Sequence, residues 1–150
     1  MIGRDRFTII SSLEQMCYAG KAATAYYYIT CEARPDVVRG SPFRIRDIRE
    51  CNRDLEGTYL IRMFAEFERQ LRDCWERHFN RSTRPMMEVL VDRLASRCHM
   101  QYGVLSNVHS VREYRNSLVH GGAAAPLTLA ESRSYLCRFL ADLPRTWQSQ

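Results

Sequence analysis

The chain has 150 residues, 45% of them apolar and 26% charged, and a net charge of +5. That length suits a single domain, 1–150, able to bury roughly two-thirds of the surface its unfolded chain exposes. No apolar run approaches the ~20 residues of a membrane span, and Met1 to Phe7 carry Arg4, Asp5 and Arg6 without a secretory apolar core, so a cytoplasmic protein with no membrane partner is expected.

Hydrophobic periodicity predicts helices at about 5–18, 20–33, 44–80, 85–101, 105–120 and 128–142. Strand signals are nearly absent, since Tyr26-Tyr27-Tyr28-Ile29-Thr30 continues a helical segment and has no second strand beside it. Ala19-Gly20 is expected to separate the first two helices, and Arg34-Pro35-Asp36 to end the second. Ser41-Pro42 reads as an N-cap followed by proline at the first helical position. The third segment carries Leu60, Phe64, Phe67, Leu71, Trp75 and Phe79 as a wide apolar stripe. Its other faces offer Arg62–Glu66, Glu68–Arg72, Arg69–Asp73 and Asp73–Arg77 at i,i+4, a solvated pattern, and Gly57 is a point of bending or division. Thr83-Arg84-Pro85 opens the fourth helix. The fifth places Val104, Val108, Val111 and Leu118 on one face, with Ser110-Val111-Arg112-Glu113 as an alternative start. Thr128-Leu129-Ala130-Glu131 opens the last as a capping box. The expected architecture is all-α: an up-and-down bundle of four to six helices with a long central helix, packed through 60–79 and 105–120.

Six cysteines, at 17, 31, 51, 74, 98 and 137, form no Cys-x-x-Cys pair and no zinc-spaced group with histidine. They read as reduced core thiols. The basic residues are 21 arginines and the single Lys21. Arginine is the better bidentate phosphate ligand, so nucleic acid is a reasonable partner; a GC-rich coding sequence would give the same bias.

The most informative stretch is Val111-Arg112-Glu113-Tyr114-Arg115-Asn116-Ser117-Leu118-Val119-His120-Gly121-Gly122. Arg115 falls on the apolar stripe, four after Val111 and three before Leu118. A guanidinium cannot be neutralised at working pH, so burying it calls for a partner or a ligand. Arg112, Asn116 and His120 recur at four and line one edge of the helix. His120 precedes two glycines, where a left-handed C-cap is expected. Imidazole can take or give a proton near neutrality, arginine can hold phosphate and the charge that builds on it, and asparagine can orient either. RNA cleavage by attack of the 2′-OH needs these groups and calls for no metal or other cofactor.

Arg115-Asn116-Ser117-Leu118-Val119-His120, followed by Gly121, resembles the R-x4–6-H signature of HEPN domains. Ala65-Glu66-Phe67-Glu68-Arg69-Gln70-Leu71 resembles the long helix that precedes it in that family. The likeness spans 55–142; the N-terminal 1–43 match it weakly. It implies a HEPN-like bundle that homodimerises, so that two helix ends build one composite cleft. It also implies a metal-independent endoribonuclease that leaves a 2′,3′-cyclic phosphate, often a toxin or defence component with an antitoxin partner. On that likeness Arg115 and His120 are catalytic, Asn116 supports them, and Glu68 orients Arg115 or closes the cleft. Arg112 is either a second phosphate contact or a solvated residue. The tyrosine that some members carry two residues after the histidine is Gly122 here, which puts silencing by nucleotide transfer in doubt. Two other readings stand beside it: a non-catalytic HEPN module binding nucleotide, RNA or protein, and an unrelated helical interaction domain whose Arg115 is only a buried ion pair. His120 also has a bland reading, as a helix-terminal histidine facing the dipole.

Overall fold

The structure, a computed structural model, describes residues 6–144. Among them there are five α-helices and no strand: α1 (Arg6–Ala33), α2 (Ile45–Asp73), α3 (Met87–Arg97), α4 (Tyr102–His120) and α5 (Leu129–Asp142). A short 3-10 turn, Pro35–Val38, follows α1, and a π turn, Cys74–His78, extends α2. The all-α bundle of the sequence reading is what forms.

Side-chain contacts fix the directions. Lys21 meets Glu56 at 2.9 Å and Thr24 meets Asn52 at 2.7 Å, so α1 and α2 are antiparallel. Gly57 faces Leu118 while Phe64 lies under Arg115, so α2 and α4 are antiparallel too. Asp92–His109 and Glu88–Arg112 set α3 antiparallel to α4. The 29-residue α2 is the central helix and packs against all four others. One cluster of buried side chains joins the five helices, with Ile10, Phe67, Leu90, Val108 and Phe139 completely covered. Every member of the predicted α2 stripe is buried except Phe79, which is partly covered.

Several boundaries differ from the sequence reading, each for a local reason. Gly20 does not break α1, which runs through it. A Cβ there would stand 3.6 Å from Leu55, so the glycine sits in the α1–α2 contact. Gly57 likewise stays helical. The third segment opens at Ile45 rather than at Ser41-Pro42, where the Asp47 carboxylate accepts the Arg44 N–H at 2.7 Å. Thr83-Arg84-Pro85 precedes α3 by a turn, and α4 starts at Tyr102 with Ser110 inside it.

The fourth helix was expected to reach 101 and ends at Arg97. His99 takes a left-handed conformation (φ 52°). Its N–H donates to Ser96 O at 3.3 Å, and the Met100 N–H donates to Ala95 O at 2.9 Å. This is a Schellman stop built on histidine where glycine is usual, so the composition carried no stop signal. The Thr128–Glu131 capping box forms as read.

All six cysteines are free. Cys17, Cys31 and Cys74 are buried, Cys98 and Cys137 half-buried, and Cys51 is exposed, so the core-thiol reading fails at Cys51. No helix among the described residues is long and apolar enough to cross a membrane.

Candidate functional site

The last two turns of α4 extend beyond the start of α3, which covers this helix only as far as Arg112. Val104, Val108 and Val111 are buried under the bundle. Leu118 and Val119, at 39% and 44% exposure, are not, so the apolar face of α4 opens to solvent where the polar residues cluster.

Arg115 is half-buried, as its place on the stripe implied. Its guanidinium lies 5.9 Å from the centroid of the Phe64 ring on α2, and Nη1 donates to Asn116 Oδ1 at 2.9 Å. Its Nε is buried with no hydrogen-bond partner, and no carboxylate pairs with it among the described residues. The charge is therefore held by a neutral amide and an aromatic face, neither of which cancels it. The structure thus brings Asn116 and Arg115 into contact.

His120 is exposed and is the last residue of α4. Beyond it Gly121 adopts φ 76°, ψ 151°, a conformation open to glycine. This is not the left-handed cap expected, and the chain leaves the helix extended. A Cβ on Gly122 would stand 3.4 Å from Ser117 Cβ, so the second glycine lets the chain pass close to the last turn. Because α4 is regular through His120, positions 115 and 120 are ~140° apart around its axis. Within one chain they do not converge.

The other two candidates are placed elsewhere. Glu68 pairs with Arg72 at 2.6 Å, and Arg72 also donates to the Pro85 carbonyl at 3.2 Å. Glu68 therefore belongs to a bridge between α2 and the chain entering α3, and the expected link to Arg115 does not form. Arg112 is held by Glu88 of α3 at 3.3 Å. It is neither a free phosphate contact nor a solvated residue, since its side chain is 18% exposed and its Nε is buried without a partner. His109 is engaged by Asp92 at 2.8 Å. Sequence reasoning missed Phe64 and Glu88 as the residues that hold the two arginines; both contacts cross between helices and leave no local spacing to detect.

On the opposite flank of α4, Tyr114 and Leu118 line a cavity of about 710 Å³ with Gly57, Ile61, Leu127 and Thr128. Glu56 borders it. Lys21 at 2.9 Å and the Leu129 N–H at 3.1 Å hold the Glu56 carboxyl below its ordinary range. No group of three or more metal-ligating side chains gathers among the described residues. Comparison of the chain with protein-family models, curated proteins and solved structures finds no match.

Proposed function

We propose that the chain is a metal-independent endoribonuclease of the HEPN type whose active site is completed by a second copy. The observation that carries this reading is Arg115: a half-buried guanidinium with no carboxylate partner among the described residues, on a helix whose uncovered end carries an exposed imidazole. A phosphate supplies the counter-charge that the chain itself withholds. In the reaction His120 takes the proton of an RNA 2′-OH, and the 2′-oxygen attacks the adjacent phosphorus. Arg115 of the second copy stabilises the charge on the pentacoordinate phosphorus, and the Asn116 beside it holds the guanidinium. The bond to the 5′-oxygen breaks, and that oxygen receives a proton from the His120 imidazolium formed in the first step. The products are a 2′,3′-cyclic phosphate and a 5′-hydroxyl. Exposed Leu118 and Val119 supply apolar surface for that copy. A toxin or defence role, with an antitoxin as partner, follows from the HEPN likeness alone.

The test is incubation of the protein with total RNA in EDTA, followed by analysis of the new 3′ ends. Cyclic phosphate ends, lost in His120→Ala, are expected. Equal cleavage by His120→Ala sinks the site assignment. Intact RNA at high protein concentration with binding retained favours a non-catalytic binding module.

A further inference from the structure

A second cluster of arginines lies at the far end of α2, where residues 79–86 lead from the π turn to α3. Trp75 is buried there beneath two residues of α3. The Arg93 and Arg97 guanidiniums stand 5.9 and 5.6 Å from its ring centroid, and Arg97 is also 5.2 Å from the Phe79 ring. With Arg81, Thr83 and Ser96 these residues line a cavity of about 550 Å³.

Arg81, Arg93 and Arg97 form no ion pair among the described residues. Other arginines of the fold are matched to acids, among them Arg69 with Asp73, Arg72 with Glu68 and Arg133 with Glu14. Here aromatic rings position two of them. An aromatic face fixes a guanidinium while leaving its N–H fork unused and its charge intact. The Thr83 hydroxyl oxygen accepts the Trp75 Nε1–H at 3.3 Å, so its own proton is free to donate. Ser96 adds a second hydroxyl. Asp73 and Glu76 line an adjoining cavity that shares Trp75, Arg81 and Thr83 with this one, and Asp73 is taken up by Arg69.

We propose that this cavity binds a phosphate group, with Arg81, Arg93 and Arg97 as counter-charges and the Thr83 and Ser96 hydroxyls as further donors. Its volume lies within the ~300–1,000 Å³ of ordinary small-ligand sites, enough for a nucleoside monophosphate and not only a bare ion. The phosphate comes from a free nucleotide or from an RNA strand. This site is separate from the α4 end: Arg97 is nine residues along α3 from Glu88, the partner of Arg112, about 14 Å of helix.

Calorimetric titration of the full chain tests it, using AMP, adenosine, and an unstructured 2′-O-methyl RNA with or without a 5′-phosphate. AMP is expected to bind and adenosine is not. Arg81→Gln weakens AMP at least tenfold, and Ser96→Glu abolishes its binding. Both positions are exposed, so these variants fold even if removing Arg97 from between its two rings does not. RNA that needs its 5′-phosphate assigns the cavity to a strand end, and RNA that binds equally without it assigns the cavity to an internal phosphate. Either result, if lost in the two variants, upholds the site. No binding by any phosphate-bearing probe at physiological ionic strength, or unchanged affinity in both variants, overturns it. Cleavable RNA that binds here and stays intact upholds this site while removing the nuclease reading, so the two fail separately.

Discussion

Arg115 illustrates what a single position can disclose. Its inward placement is legible from the 3.6-residue period, because Val111 and Leu118 bracket it. Its lack of a carboxylate is not, because Glu68 had two possible partners. Arg72 is one turn away on the same helix, and meeting it orders fewer freedoms than reaching across to α4. Replacing Arg115 by alanine removes the packing of its stem on Phe64, and about 1–2 kcal/mol of stability is expected to go with it. The same change is expected to lower RNA cleavage about a hundredfold or more, the usual scale for a lost charge-stabilising donor. Chemical denaturation and an initial-rate assay read the two effects apart, and unchanged melting with full activity would contradict both. His99 offers the opposite experiment. Its left-handed backbone costs a non-glycine residue about 1 kcal/mol, so His99→Gly is expected to stabilise the protein by about 0.5–1 kcal/mol in urea unfolding. A loss of stability would show that the His99 ring contributes more than its backbone costs.

Among the elements, α5 was the most legible and α1 the least. The α5 start is written in four adjacent residues, Thr128 to Glu131, and the cap they form is local. The continuity of α1 depends on Leu55, 35 positions after Gly20, and no local rule reports that contact. Glu56 joins the two cases. It neutralises Lys21 of α1 and accepts the first N–H of α5, an unpaired donor at the positive end of a helix dipole. Because its folded pKa lies below the ordinary carboxylate value of 4.5, its stabilisation is fully present above that value. It is lost as the pH falls below it toward the folded pKa. Glu56→Gln is therefore expected to lower the melting temperature at neutral pH by roughly 2–4 °C, a modest effect because the pair is partly solvated. The gap to wild type should close on acidification; a gap that stays constant down to acid denaturation would show that the carboxylate charge is not what matters. Thr128→Ala is expected to cost about 1 kcal/mol through loss of the cap, read by the same melts.

At the scale of the whole molecule, the proposed function makes one copy half a site. Arg115 leans on α2 while His120 points away from it, and α4 does not bend to bring them together. If catalysis joins the Arg115 of one copy to the His120 of another, Arg115→Ala and His120→Ala proteins are each inactive, yet mixing them restores part of the activity. Equilibrium sedimentation should show a dimer over the same concentration range. A mixture that stays inactive while forming mixed dimers rules out the shared site. The five-residue offset of Arg115 and His120 was legible in the sequence, whereas the regularity of α4 to its last residue, which keeps them apart, was not. The contact between Gly57 and Leu118 carries a consequence for descent. A Cβ at 57 would meet both Leu118 methyls at 3.6 Å, an ordinary contact, so alanine fits at 57 and the space beyond it belongs to Leu118. A lineage that carries a residue larger than alanine at 57 must shrink residue 118 or shift the end of α4, and with it Arg115 and His120. In an alignment of relatives these two positions should covary in size, glycine or alanine with leucine and a larger residue with a smaller partner, wherever the Arg-Asn-x3-His pattern is kept.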